Sequence, residues 1–403
     1  MTKLTALDLP FNEIDDISSL SGMTNLTSLD IRDNEISDVS SLSGKKDLVG
    51  LYLTNNQISD ISSLSESTNL NVLYAQNNQI SDISSLSGMT KLTHLYLTNN
   101  QISDISNLPG MPELSQLELA NNQIVNISSL AESTNVSYLN LQNNKIRDIS
   151  SLSGMNKLFR LKLSNNQISD ISSLSGKPEL YILSLYNNQI VDISSLAELT
   201  DLYALYLSNN QIKDISPLKG LTRLGILTLM NNKISDISSL SNLSRLWKLI
   251  LKDNEIEDIT PLSNLKIGTL KLANNKIKDI SSLSTLNPSY LSIYNNQISD
   301  ISSLSELTNL RQLYLTNNQI SDISPLSGMS LLEVITLRNN EISDISSLVP
   351  LNELYQINVD ENYLDLSSPD IMDIINMLIE RVSDNSKPDD AGWILYENNN
   401  PFN

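Results

Sequence analysis

The feature that most constrains this chain is a repeat of 22 residues. An Asn closes each repeat, and Leu or Ile stands eight, five and three residues before nearly every such Asn. Every interval between successive Asn residues is 22 except two of 21. The Asn series is Asn12, Asn34, Asn56, Asn78, Asn100, Asn122, Asn144, Asn166, Asn188, Asn210, Asn232, Asn254, Asn275, Asn296, Asn318, Asn340 and Asn362. A chain with this period stacks its repeats into a solenoid, because each repeat buries its apolar residues only against its neighbours.

The apolar positions predict one continuous core. In the turn closed by Asn34, the inward-pointing residues are Leu26, Leu29, Ile31, Ile36, Val39 and Leu42. Each has a counterpart one repeat away, so the stacked turns share an unbroken apolar interior. The pattern is that of the leucine-rich repeat, in which a short strand leads to an Asn turn and a convex segment returns the chain.

Two polar columns accompany the core. The recurring Asn offers one acceptor and two donors, so we expect it to satisfy backbone groups that the turn leaves open. Four residues after it, Asp occupies 15 of 16 matching positions, from Asp16 to Asp344, with Asn126 the exception. We expect this Asp to accept from backbone N–H groups of the next short turn. Calcium bound between the aligned carboxylates is the alternative, but calcium-binding solenoids use a different, Gly-rich spacing, so no metal is predicted.

These patterns predict the fold class and the division of the chain. The class is α/β: a right-handed leucine-rich-repeat solenoid, or horseshoe, with a parallel concave β-sheet. A repeat of 22 residues leaves room for a short 3₁₀ or extended convex segment rather than a full α-helix. Residues 1–366 form the predicted leucine-rich-repeat array of 17 turns, and residues 367–403 form a capping helix and an edge strand.

The predicted cap follows from a change of period. SSPDIMDIINMLIERV opens with Ser-Pro-Asp and has helical spacing of its apolar residues. Those residues are Ile371, Ile374, Ile375, Leu378, Ile379 and Val382. A partner-binding helix is the alternative to a cap. The later segment GWILYENNN is predicted to add the edge strand.

The first turn has no neighbour on one side. Its apolar residues are Leu4, Leu7, Leu9, Ile14 and Ile17. This predicts that a cap or an upstream domain precedes them, or that this end pairs with a second copy of the chain. Without such pairing the chain is expected to be a monomer.

Composition excludes several classes of function. The chain has 26 Lys and Arg against 46 Asp and Glu, a formal net charge of −20, one His and no Cys. No thiolate nucleophile, Cys-ligated metal or multi-His site can be built, and no paired-carboxylate site is recognisable. The charge disfavours nucleic acid, and no apolar run reaches the length of a membrane span. We therefore predict no catalytic residues, no cofactor and no membrane insertion.

The outward columns of the strands carry most of the aromatic residues. Residues seven, six, four and two before each Asn point away from the core, and 12 of the 14 Tyr occupy these columns. Folding alone would place large aromatics inside, where Leu and Ile stand instead. Tyr with Trp and Arg is typical of binding surfaces, so we predict a partner-binding concave face. Support of the sheet by cross-strand aromatic pairs is the alternative.

The candidate binding residues are drawn from these columns. They are Tyr52, Tyr74, Tyr96, His94, Tyr138, Arg160, Lys162, Tyr181, Tyr186, Tyr203, Tyr206, Trp247, Tyr290, Tyr294 and Tyr314. Acids and bases balance on this face, at eight each, which favours a protein partner over a polyanion. His94 is expected to be a contact residue rather than a catalytic base. A glycan remains an alternative ligand, since stacked Tyr suits both.

The wording of the repeats resembles one bacterial family. NNQISDISPLSGM and NNQIKDISPLKGLTRL are similar to the 22-residue repeats of internalins and related surface leucine-rich-repeat proteins. The resemblance implies a non-enzymatic adhesion or receptor-recognition array, secreted or on the cell surface, that grips a host protein with its concave face. No secretory signal opens the chain. An intracellular, cytoplasmic scaffold resembling the leucine-rich-repeat regulatory subunit of protein phosphatase 1 is one alternative, and a structural spacer is another.

Overall fold

The computed structural model describes residues 3–108 and 110–385, and the side chains up to residue 381. The chain divides into two compact units, Met1–Glu255 and Ile256–Asn403. Within the described residues, twelve strands lie in the first unit and five in the second. Neighbouring strands within each unit pair in parallel, with equivalent repeat positions opposite one another, as Leu29 is opposite Leu51. The predicted leucine-rich-repeat solenoid is confirmed.

Every strand has three residues. In the first unit they are β1 Ala6–Asp8, β2 Ser28–Asp30, β3 Gly50–Tyr52, β4 Val72–Tyr74, β5 His94–Tyr96, β6 Gln116–Glu118, β7 Tyr138–Asn140, β8 Arg160–Lys162, β9 Ile182–Ser184, β10 Ala204–Tyr206, β11 Ile226–Thr228 and β12 Lys248–Ile250. In the second unit they are β13 Thr269–Lys271, β14 Tyr290–Ser292, β15 Gln312–Tyr314, β16 Val334–Thr336 and β17 Gln356–Asn358.

The return segments are 3₁₀ helices, as the short repeat predicts. In the first unit they are Ser18–Leu20, Ser40–Leu42, Ser62–Glu66, Ser84–Leu86, Ser128–Glu132, Ser150–Gly154, Ser172–Leu174, Ser194–Leu196, Ser216–Gly220 and Ser238–Leu240. In the second unit they are Thr260–Leu262, Ser281–Thr285, Ser302–Glu306, Ser324–Gly328 and Ser346–Leu348. One α-helix, α1, is described, at Pro369–Asn385. Among the described residues, no helix combines the length and apolarity required to cross a membrane.

The core is built from the predicted columns. Leu26, Leu29, Ile31 and Ile36 are fully buried, and their counterparts in the following repeats are buried in the same way. The central residue of each strand points inward, and the residues on either side of it point outward. Three residues are enough for a strand here because parallel neighbours supply the hydrogen bonds and the apolar columns supply the burial.

The Asn column fixes the turn after each strand. Asn166 donates from Nδ2 to the carbonyl oxygens of Leu141, Leu163 and Ser164, at 3.0, 2.9 and 3.3 Å. Its Oδ1 accepts from the N–H of Ile146 at 3.0 Å. The same bonds recur along the chain, so the structure confirms that this buried amide satisfies backbone groups of two successive turns.

A second Asn column, which the sequence reasoning left unexplained, stands one residue earlier. Asn165 has a φ of 57°, the left-handed conformation that Asn tolerates better than most residues. Its Nδ2 donates to Oδ1 of Asn143, one repeat earlier, at 2.5 Å. The exposed amides therefore form a ladder along the edge of the sheet. Gly would supply the same φ without the ladder.

The Asp column behaves as predicted. The N–H of Ser172 donates to the carboxylate of Asp170 at 2.8 Å, and Ser128 makes the same bond to Asn126 at 2.9 Å. The backbone hydrogen bond from Ser172, followed by its hydroxyl, holds the pKa of Asp170 below its usual value. The carboxylates are exposed and serve the entry to each 3₁₀ segment.

The first turn of the solenoid is partly open. Leu4 is exposed and Leu7, Leu9 and Ile14 are only half-buried, in line with the expected lack of a neighbour. Ile17 is an exception, because the following repeat covers it and it is buried.

The predicted C-terminal helix is present. Pro369 occupies its first position, where the missing N–H is no loss. Leu378 is buried, but Ile379 is exposed and leaves the apolar stripe incomplete. Arg381 donates to the carbonyl oxygens of Val349 and Leu351, at 3.0 and 3.1 Å, and so ties the helix to the last 3₁₀ turn. The side chain of Val382 and the predicted edge strand in GWILYENNN lie outside the described residues. The capping role and the boundary at residue 366 stay predictions.

Candidate functional site

The candidate site is the strand face, defined as the side chains seven, six, four and two residues before each repeat Asn. The core columns between them are buried, so these positions point away from the interior. Within the first unit the structure sorts the predicted aromatic residues into two rows. One row lies in the middle of the strands, and the other lies at the residue just before each strand begins.

The middle row contains the tyrosine stack, formed by Tyr52, Tyr74 and Tyr96. Ring centroids of Tyr52 and Tyr74 are 5.2 Å apart and those of Tyr74 and Tyr96 are 4.4 Å apart, both stacked. The guanidinium of Arg32 lies 5.5 Å from the Tyr52 ring centroid. Tyr96 is only 9% exposed, and its hydroxyl donates to Gln116. Tyr96 therefore supports the stack, while Tyr52 and Tyr74 present its accessible surface.

Burial changes the proton affinity of this row. It raises the pKa of the Tyr96 hydroxyl, with the neighbouring Tyr74 as a smaller cause. Burial, with Glu118 beside it, also raises the pKa of Tyr138 to about 12. Both hydroxyls are therefore neutral at physiological pH and act as hydrogen-bond donors. Lys162 places its ammonium 5.6 Å from the Tyr138 ring centroid.

His94 lies beside the stack. Its ring centroid is 6.2 Å from that of Tyr96, and Nδ1 is 2.7 Å from the hydroxyl of Thr93. These neighbours do not form the nucleophile–base–acid arrangement of a catalytic triad. His94 fits the contact role expected for it.

Two further predicted tyrosines line the strand face of the first unit. Gln142 donates from Nε2 to the hydroxyl of Tyr186 at 3.3 Å, which fixes the ring across two repeats. Tyr206 is the third residue of β10, and burial raises its pKa. Both rings are partly covered by neighbouring side chains.

The second row is an aromatic ridge, formed by Phe159, Tyr181, Tyr203 and Trp247. Centroids of Phe159 and Tyr181 are 5.1 Å apart with planes 2° from parallel, and those of Tyr181 and Tyr203 are 5.2 Å apart at 7°. Arg160 lies 5.9 Å from the Phe159 ring centroid. The sequence prediction included Tyr181, Tyr203 and Trp247 but missed Phe159, although it occupies the same repeat position.

A glycine lets the ridge continue to Trp247. Gly225 occupies the position between Tyr203 and Trp247, and a Cβ there would lie 2.5 Å from Cε2 of Tyr203. The Tyr203 ring therefore leans over Gly225, and Trp247 Nε1 donates to the Tyr203 hydroxyl at 3.1 Å. Any side chain at residue 225 displaces that ring.

The second unit holds a smaller aromatic group. The ring centroids of Tyr290 and Tyr314 are 5.3 Å apart and tilted by 35°. Lys271 places its ammonium 4.9 Å from the Tyr290 ring centroid. Tyr294 follows β14 by two residues, at the edge of the strand face.

Chemistry of other kinds finds little support in the arrangement. Within residues 3–108 and 110–385, no group of three or more His, Asp or Glu side chains is placed to hold a metal ion. Depressions on the opposite side are lined by the Asp column and its Ser residues, as at Asp16 and Asp38. The Asp side chains there are engaged with their own turns.

The chain belongs to the leucine-rich-repeat family, whose members use extended surfaces to bind other proteins. The family model described as "Leucine Rich repeats (2 copies)" matches residues 2–44, 24–66, 68–110, 156–198, 204–242 and 289–328. A second, "Leucine rich repeat", matches residues 112–168. No curated protein sequence matches the chain.

Solved structures extend the comparison. An internalin of Listeria monocytogenes is 31% identical with a TM-score of 0.57, over 88% of this chain and 86% of that one. A leucine-rich-repeat protein of Leptospira interrogans is 21% identical with a TM-score of 0.68, over 94% and 89%. The ectodomain of the Arabidopsis thaliana receptor kinase GASSHO1/SCHENGEN3, in complex with CASPARIAN STRIP INTEGRITY FACTOR 2, is 24% identical with a TM-score of 0.67, over 86% and 52%. The last two likenesses concern the fold alone.

Proposed function

We propose that this chain is a non-enzymatic recognition module that binds another protein through its strand face, as an internalin-like bacterial surface protein. The observation that carries the proposal is the placement of aromatic rings in ordered stacks outside a complete Leu and Ile core. The core is already closed beneath these rings, so folding does not require them. The 31% identity to the Listeria internalin supports the surface role.

The physical basis is preorganisation. Backbone hydrogen bonds and ring contacts already hold the side chains of the strand face, so a partner orders few additional rotamers on binding. Aromatic residues supply large contact areas, and a protein partner covers several strands at once. Charged residues such as Arg32 and Lys162 border the rings and set the register of the partner.

The tyrosine stack offers the first test. The chain and its Tyr52→Ala/Tyr74→Ala variant are used side by side to capture proteins from cell-surface and soluble extracts. We expect at least one captured protein to bind the variant roughly tenfold more weakly, because central aromatic anchors contribute about 2 kcal/mol each to binding. Melting temperature is expected to change little, since both rings lie outside the core.

The design separates the proposal from its alternatives. Tyr363→Ala is a matched control, because Tyr363 is exposed and lies outside the strand face. Loss of a surface protein with the double variant, but not with Tyr363→Ala, supports recognition at the surface. Loss of a soluble protein alone favours an intracellular scaffold. If the double variant retains every captured protein, the tyrosine stack does not bind them and the spacer reading gains.

A further inference from the structure

We propose that the aromatic ridge of Phe159, Tyr181, Tyr203 and Trp247 is a distinct binding surface for an acidic peptide segment of a protein partner. The inference rests on the proposed protein-binding function and assigns the chemistry of the partner at this one surface. Its first support is exposure: Phe159, Tyr181 and Trp247 remain 42, 36 and 44% exposed although they are held in place. Large aromatic rings kept both ordered and exposed are typical of binding surfaces.

The local charge identifies the partner as acidic. The residues two before and one after the ridge position in β8–β12 include five cations and two carboxylates, a net charge of +3. The cations are Lys157, Arg160, Arg223, Arg245 and Lys248, and the carboxylates are Glu179 and Asp201. The same positions in β1–β7 hold Lys3 and Lys91 against Asp47 and Glu113, a net charge of zero. The positive charge is therefore specific to the ridge, within a chain whose net charge is −20.

Most of these cations are available to a partner. In the part of the chain that the structure describes, Arg223 pairs with Asp201 at 2.5 Å, but no carboxylate lies within ion-pair distance of Arg160, Arg245 or Lys248. Arg160 and Arg245 are exposed, next to Phe159 and Trp247 at opposite ends of the ridge. A carboxylate arriving at either end meets a cation that has no acidic partner to give up.

Ring orientation favours the same ligand. Phe159, Tyr181 and Tyr203 stack face to face with nearly parallel planes, so the two contacts between them occupy ring faces and leave ring edges toward solvent. The edge of an aromatic ring carries partial positive charge, whereas a sugar stacks on the face. Edges beside cations therefore suit carboxylates and apolar side chains better than a glycan.

The span of the ridge sets the length of the segment. Four strand intervals of about 4.8 Å separate β8 from β12, giving roughly 19 Å. An extended peptide advances about 3.3 Å per residue, so about six residues cover the ridge. A peptide library of about 12 residues is therefore long enough to occupy it fully.

The experiment selects peptides without assuming a natural partner. A random library of about 12 residues, displayed on phage, is first depleted on a Tyr203→Ala/Trp247→Ala variant and then selected on the full wild-type chain. We expect the selected peptides to be rich in Asp and Glu together with apolar residues. Binding is expected to weaken about tenfold between about 0.05 and 0.5 M NaCl, as screening of the cations requires.

Gly225→Ala provides the decisive variant. The new methyl displaces the Tyr203 ring and breaks its bond to Trp247 without deleting any aromatic residue or disturbing the buried column. We expect it to weaken the selected peptides roughly tenfold or more, as loss of a central contact does. A Trp393→Phe background leaves Trp247 as the sole Trp, so its fluorescence reports binding directly at the ridge.

The outcomes separate this inference from the broader proposal. Failure to enrich acidic peptides, or equal binding by Gly225→Ala, overturns the ridge assignment. A sialylated glycan that binds in a Gly225-dependent manner, with no acidic peptide enriched, overturns the choice of ligand. The Tyr52→Ala/Tyr74→Ala variant should bind the selected peptides normally, so the ridge can stand even if the tyrosine stack captures no partner.

Discussion

Replacing Asn166 with Ala is expected to lower the free energy of unfolding by about 3–5 kcal/mol, because several buried backbone groups lose their partners at once. The N–H of Ile146 loses its acceptor, and the carbonyl oxygens of Leu141, Leu163 and Ser164 each lose a donor. Ala cannot replace any of these bonds. Urea denaturation followed by circular dichroism measures the loss.

The neighbouring Asn provides the control. Asn165→Gly keeps the left-handed backbone and removes one exposed rung of the amide ladder. We expect a loss of about 1 kcal/mol or less, since the groups involved return to water. Equal losses for the two variants would mean that the buried Asn column does not hold the turns together.

Lys177→Met is expected to stabilise the protein at neutral pH by about 1–2 kcal/mol, a rise of several degrees in melting temperature. Lys177 is fully buried where Met155 stands one repeat earlier. Its Nζ donates to the carbonyl oxygens of Leu152 and Ser153, at 2.8 and 3.1 Å. The Leu152 oxygen also accepts from the N–H of Met155, so the substitution does not orphan it.

The stabilisation by Lys177→Met should depend on pH in a defined direction. Burial lowers the pKa of Lys177 in the folded chain, so the unfolded chain binds more protons between that pKa and about 10.4. The wild-type protein therefore gains stability as pH rises through this window, and the advantage of the variant shrinks. Melting at pH 7 and pH 10 tests this. Lys219→Met, at an exposed position, is the control, and an equal gain there would contradict the account.

The fold was predictable because its causes repeat. One buried Leu gives weak information, but a column such as Leu29 and Leu51 repeated along the chain leaves only stacked turns as a way to bury them. The hydrogen-bonding roles of the Asn and Asp columns follow from the same repetition. Lys45 and Lys177 departed from the pattern, because a Gly in the left-handed conformation before each turns a charged side chain inward.

The candidate site was predictable only in part. Period and alternation place Tyr52 and Tyr181 on the outward face, but they do not reveal which rings touch. Tyr96 is largely covered by its neighbours, and Phe159 begins a separate row, because these outcomes depend on rotamers in adjacent strands. The role of Gly225 was hidden for a simpler reason: it acts by having no side chain beside Tyr203.

The most direct test of the central claim is to mask each side of the solenoid in turn. The chain contains no Cys, so single substitutions can carry a maleimide-linked polyethylene glycol at one chosen position. Val72→Cys places it on the strand face beside Tyr74, and Ser65→Cys places it on an exposed 3₁₀ segment. The account predicts that the label at residue 72 abolishes binding of the protein captured through the tyrosine stack, while the label at residue 65 leaves it intact. Binding that survives at residue 72 and is lost at residue 65 would contradict recognition through the strand face.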